Sequence, residues 1–166
     1  SYTATHLDDG STETLTEEQT NGNPSRRRSR LEHRWTFSVP GGTSAVLETN
    51  AWMSSSSDGD TFQLSFSTDG STFTDVLEIS STSSSNQQSA LLPSASAGTV
   101  TIRVVDTDRA QGNSSLDSLF VDSLVIRTQL GGGDPPAAAS GLSANAQSSS
   151  QVALSWIDNS NDELGF

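Results

Sequence analysis

The run from Thr99 to Arg127, TVTIRVVDTDRAQGNSSLDSLFVDSLVIR, constrains the fold of this chain more than any other segment. Apolar residues alternate at Val100, Ile102 and Val104, and again at Leu119 and Val121 leading into Leu124 and Ile126. One apolar side chain every second residue is the period of a half-buried β-strand. The loop between these strands is rich in Asp, Asn, Ser and Gly, and Asp106, Asp108, Asp117 and Asp122 lie in or beside it. Strands that end in acidic, oxygen-rich loops suit cation binding and ligand display. Nothing in the run pairs a nucleophile with a base.

The same alternation recurs upstream. In RWTFSV (Arg34 to Val39), Trp35, Phe37 and Val39 share one face, and Pro40-Gly41-Gly42 ends the strand. Ser44 to Met53 reads as the next strand and Ser54 to Asp60 as a loop. FQLSFS (Phe62 to Ser67) turns Phe62, Leu64 and Phe66 inward. Thr68-Asp69-Gly70-Ser71 is a hairpin turn, because Asp-Gly supplies the positive φ of a tight reversal, and Phe73 to Ile79 returns as its partner. The tract Ser80 to Ser89 reads as a low-complexity loop before Ala90-Leu91-Leu92-Pro93. Residues 1 to 33 are polar, with strands expected around Tyr2 to Leu7 and near Glu13 to Thr16. No stretch has helical periodicity. The pattern predicts an all-β fold: an antiparallel β-sandwich, jelly-roll-like, over residues 1–130.

Gly131 to Ser140 (GGGDPPAAAS) reads as a Gly/Pro/Ala linker. In residues 141–166, Leu142 and Ala144 mark one strand and Val152, Leu154 and Trp156 a second. This stretch, GLSANAQSSSQVALSWIDNSNDELGF, resembles the opening of a fibronectin type III domain, which would make Trp156 a core tryptophan. Two strands do not bury such a ring alone. Both chain ends read as cuts through something longer.

Composition narrows the function classes. Acids outnumber bases 20 to 8, for a net charge of −12, and every base is arginine. Such a surface argues against nucleic-acid partners, since phosphate neutralisation needs clustered cations. No cysteine is present, so disulfides and thiolate metal sites are excluded. No apolar run approaches 18 residues, so no membrane insertion is expected. His6 and His33 are the only histidines, and neither GxSxG nor SxxK occurs. The chain is therefore expected to be non-catalytic.

Two kinds of site are candidates. Calcium takes six to eight oxygens from carboxylates and carbonyls. Asp58 and Asp60 flanking Gly59, and Asp106, Asp108 and Asp117 beside Asn113, offer that chemistry, although Asx turns need the same residues. Asp122 carries the most weight, because an inward Asp in a strand needs a partner. A carbohydrate site needs a ring on which a sugar face stacks, with polar side chains beside it. Trp52 is the tryptophan whose facing is open, with Asn50, Gln63 and Arg103 as polar partners and Tyr2 and Phe73 as further rings. The cluster RRRSRLEHR (Arg26 to Arg34) either grips an anionic polysaccharide or offsets local acid.

The strings DGDTFQLSFSTDGSTFTDV, LP, TVTIRVVDTDR, GN and LDSLFVDSLVIR together resemble an accessory domain of secreted, multi-modular bacterial hydrolases and surface proteins. The similarity spans Ser29 to Thr128. VDSLVI also resembles the closing strand of jelly-roll carbohydrate-binding modules. That resemblance implies that Asp122 helps hold a structural calcium against the start of the domain, with Asp8, Asp9 or Glu13 as counterpart. It implies no catalytic residues. The expected function is an extracellular or cell-surface binding or adhesion module, calcium-stabilised, with polysaccharide or neighbouring modules as partners. The alternative is a subunit of an extracellular fibre or surface layer, self-associating through residues 141–166 by strand addition.

Overall fold

The computed structural model describes residues 8–56, 59–112, 115–130 and 137–159. The chain divides into two compact units, Ser1–Leu130 and Gly131–Phe166.

Among the described residues the first unit holds ten strands: β1 (Glu13–Thr16), β2 (Glu18–Gln19), β3 (Ser29–Arg30), β4 (Glu32–Val39), β5 (Ser44–Met53), β6 (Phe62–Ser67), β7 (Thr74–Ile79), β8 (Gln87–Leu91), β9 (Gly98–Asp106) and β10 (Ser118–Gln129). Strands β2 and β3 form a short ribbon, and the other eight form two antiparallel sheets ordered β1-β10-β5-β8 and β4-β9-β6-β7. Counting those eight in chain order, the sheets read first-eighth-third-sixth and second-seventh-fourth-fifth. That is the jelly-roll arrangement of two interleaved Greek keys.

Alternation places the core between the sheets. Leu47 and Ala51 on β5, Phe62 and Leu64 on β6, Ile102 and Val104 on β9, and Leu119 and Val121 on β10 are all buried. Trp35 and Val39 are buried on β4 as their spacing predicts, while Phe37 is half-buried at the margin of the core. The Asp69-Gly70 turn forms with Gly70 at φ +70. The Asp69 carboxylate accepts the backbone N–H groups of Ser71 (2.8 Å) and Thr72 (2.7 Å).

One sequence expectation changes. The expected loop Ser80 to Ser89 gives up its last residues to β8, which pairs with β5 from Asn50↔Gln87 to Val46↔Leu91. Sequence pattern does not show this edge strand, because Gln87, Ser89 and Leu91 face solvent and only Gln88 and Ala90 turn inward. Its register comes from β5. The strand expected around Tyr2 to Leu7 lies outside the described residues.

The second unit is a hairpin of β11 (Ser140–Ser148) and β12 (Gln151–Ile157). Val152, Leu154 and Trp156 alternate along β12, opposite Ala144 and Ala146. Trp156 is 50% exposed and Leu142 73%, so among the described residues of this unit nothing covers the apolar face of the hairpin.

Gly42 tests the closure of the first unit. A Cβ there would lie 2.3 Å from the Gln129 carbonyl oxygen, at the end of β10. Gly42→Ala must push β10 away, and should cost about 1–3 kcal/mol in urea unfolding, as overpacking does.

Candidate functional site

Four carboxylates from four separate segments meet at one end of the sandwich. Glu17 follows β1, Asp60 precedes β6, Asp106 ends β9 and Asp117 precedes β10. All four are buried, at 3%, 6%, 2% and 3% exposure. Single oxygens of Glu17, Asp60 and Asp117 lie within 4.8 Å of one another, and Asp106 interacts with both Glu17 and Asp60. Each carboxylate has one oxygen held by a protein donor. Glu17 Oε2 accepts from the Asp117 N–H (3.0 Å), Asp117 Oδ1 from Ser54 Oγ (3.2 Å), Asp60 Oδ1 from Ser56 Oγ (2.9 Å) and Asp106 Oδ1 from the Asp108 N–H (2.8 Å). The second oxygens Glu17 Oε1, Asp106 Oδ2 and Asp117 Oδ2 are buried with no hydrogen-bond partner.

Burial pushes the Glu17 carboxyl up to about 7, and the charges of Asp106 and Asp117 add to the rise. Burial likewise raises Asp106, opposed in part by the Asp108 N–H and by Arg109. The physical cause is common to both, since an ionised carboxylate loses its hydration among like charges.

Of the metal-ligand residues expected from sequence, Asp60, Asp106 and Asp117 come together here. Asp108 lies beside them, capping the backbone N–H of Ala110 (2.9 Å), and Asp58 lies outside the described residues. Asp122 stands elsewhere, where β10 shifts register between Val121 and Ser123. Its Oδ1 accepts the N–H groups of Asp9 (3.3 Å) and Gly10 (3.0 Å), and its Oδ2 faces Asn50 Nδ2 (3.4 Å). Asn50 Nδ2 also donates to Asp8 (2.9 Å), which a Gln87 amide N–H contacts too. Asp122 thus ties the start of the domain to the central strands. Burial, and then Asp8 beside it, pushes its carboxyl up from the ordinary range.

Glu17 was not legible as a ligand. It sits in a polar stretch whose only signal is an adjacent acid pair, and only the return of the chain beside β10 brings it to Asp117.

The expected carbohydrate-binding residues divide between the two sheets. Trp52 and Asn50 lie on β5, whereas Gln63 and Arg103 lie on β6 and β9 of the other sheet. Gln63 donates to the backbone carbonyls of Leu64 and Leu77 (2.9 Å each). Arg103 packs 4.0 Å above the Phe73 ring, with Arg34 at 5.1 Å from the same ring. Trp52 faces away from the core and stacks on Phe120 of β10, with centroids 5.6 Å apart and planes 20° apart. Both rings are half-buried and neither belongs to the core cluster. Thr14 on β1 extends this row and Asn50 and Gln87 flank it. Phe120 alternates against Leu119 and Val121, so its outward facing was readable. Its pairing with Trp52 needed the register.

The Arg26 to Arg34 cluster is dispersed. Arg27 bonds the Gly22 carbonyl and Gln19, and Arg34 bonds Glu32. Arg30 lines a groove of about 460 Å³ with Thr14, Glu18, Glu32, His33 and Arg109.

The fold and these features define an all-β jelly-roll sandwich with a buried acidic pocket at one end and an aromatic pair on one outer face. The chain is similar to the solved structure of TmCBM61, a carbohydrate-binding module, in complex with beta-1,4-galactotriose. The TM-score is 0.43 and the identity 14%, over 77% of this chain and 93% of that chain. No family model and no curated protein matches.

The Glu17 shift sets a pH dependence. A carboxyl raised in the folded state, from 4.5 to about 7, gives stability that is present below pH 4.5 and lost as pH rises through about 7. With divalent cations chelated, the melting temperature should therefore fall between pH 5 and pH 8. Glu17→Gln should flatten that fall and raise the melting temperature at pH 8, as followed by differential scanning calorimetry.

Proposed function

We propose that residues 1–130 form a non-catalytic glycan-binding module of an extracellular or cell-surface protein, with the Trp52–Phe120 pair as its sugar platform. The observation that carries this reading is the outward stack of two rings, set apart from the core cluster. Half-buried neighbouring rings facing outward on a regular sheet form a flat apolar strip of the kind on which sugar faces stack. Thr14 brings an exposed hydroxyl to its edge, while Asn50 is buried with its amide taken up by Asp8, Asp122 and Asn86. The non-catalytic reading is supported by the burial of the converging carboxylates, which leaves no room for a substrate between them. Among the described residues no helix is long and apolar enough to cross a membrane.

Pull-down on a panel of insoluble plant and bacterial polysaccharides tests the platform. Trp52→Ala and Phe120→Ala should each weaken retention about 10-fold, the scale of one lost aromatic contact. Arg103→Ala, on the opposite sheet, should bind as the parent does. Unchanged retention by both ring variants would remove this face from consideration.

The hairpin supports a second reading, assembly through residues 141–166. Leu142, Val152, Leu154 and Trp156 leave an apolar face exposed, and an isolated hairpin is marginal in water. Addition to the sheet edge of a second copy would cover it. Light scattering across a concentration series separates the two readings. A monomer at all concentrations supports the module, while an oligomer dispersed by Trp156→Ser supports assembly.

A further inference from the structure

Bringing four carboxylates out of water into one pocket is strongly unfavourable unless a positive charge meets them. Among the described residues the nearby cation is Arg109, whose charge favours ionised Asp106, yet its guanidinium donates to the Leu31 carbonyl (2.7 Å) and it forms no ion pair with Glu17, Asp106 or Asp117. The chain has no lysine to offer. Yet the orientation of each group is set with care: one oxygen of each is anchored to Ser54, Ser56 or a backbone N–H. The remaining oxygens of Glu17, Asp106 and Asp117 are more than nine-tenths buried and receive no hydrogen bond from outside the cluster. Unsatisfied buried acceptors on fixed supports are what a cation site looks like when described without its ion.

We infer that Glu17, Asp60, Asp106 and Asp117 form a calcium site that ties together four loop segments at one end of the sandwich. The donor set decides the metal. All four ligands are hard oxygens, with no imidazole or thiolate, which disfavours zinc and the later transition metals. Oxygens of Glu17, Asp60 and Asp117 lie within 4.8 Å of one another, near enough to share one ion, and a set built of protein carboxylates suits calcium better than magnesium, which keeps most of its waters. Water and backbone carbonyls complete the six to eight ligands calcium takes. This pocket is separate from Asp122, whose carboxylate is engaged with the backbone of Asp9 and Gly10.

The experiment uses the full 166-residue chain, stripped with EDTA and then dialysed against CaCl2 or MgCl2, with bound metal counted by mass spectrometry. One calcium per chain is expected, taken in preference to magnesium. Calcium at a hundredfold excess over its Kd should raise the melting temperature by about 10 °C. Glu17→Gln and Asp117→Asn should each weaken calcium binding at least about 10-fold, and each should raise the melting temperature in EDTA by removing one like charge. That reversal of sign separates a ligand from a packing residue. Asp122→Asn should retain one calcium. The inference is overturned if no calcium is retained and EDTA leaves melting unchanged. It also fails if Asp122→Asn abolishes binding while Glu17→Gln does not, or if Glu17→Gln and Asp117→Asn destabilise equally with and without calcium.

Discussion

The long antiparallel pairing of β5 with β10, at the centre of its sheet, is the interaction on which the other features depend, because those two strands face three environments at once. Inward, Leu47, Ala51 and Met53 meet Ile126, Val121 and Leu119 in register and form one wall of the core. Outward, the same register sets Trp52 beside Phe120. A slip of β10 by one residue on β5 would turn Phe120 into the core, away from Trp52, and Leu119 and Val121 out of it. The break in register at Asp122 is the local exception, and there the start of the domain is fastened to the sheet.

The acidic pocket is joined to that pairing through Ser54. Its backbone N–H donates to the Ser118 carbonyl, and its hydroxyl stands between the Ser118 N–H (2.9 Å) and the Asp117 carboxylate (3.2 Å). Trp52 and Phe120 are each two residues from this junction. Asp117 is thus linked by hydrogen bonds through Ser54 to the ends of the two strands that carry the rings.

Much of the fold was legible because its strands repeat the simplest pattern in sequence. Trp35 and Val39, Phe62, Leu64 and Phe66, and Val100, Ile102 and Val104 all declare their inward face by alternation alone. The edge strand β8 declares nothing, since an edge strand with one covered face can be built of Gln, Ser and Ala. The candidate sites were legible only in part. Asp60, Asp106 and Asp117 stand out in turn-rich, acidic loops, but so do Asp58 and Asp108, and local composition does not rank them. Gln63 and Arg103 have suitable chemistry for a ligand, yet their partners are the backbone of β6 and β7 and the ring of Phe73.

The sequence by itself determined the class of fold and the inward face of most strands, because period-two alternation is a property of neighbours along the chain and follows from burial of one sheet face. It also excluded thiolate metal sites, for want of cysteine. Tertiary structure alone decided which acids converge and which rings touch. Glu17 reaches Asp117 across a separation of 100 residues, and Trp52 reaches Phe120 only through the register of β5 on β10. Such contacts depend on sheet order and strand register, which arise from packing the whole core at once and leave no mark at the positions they join.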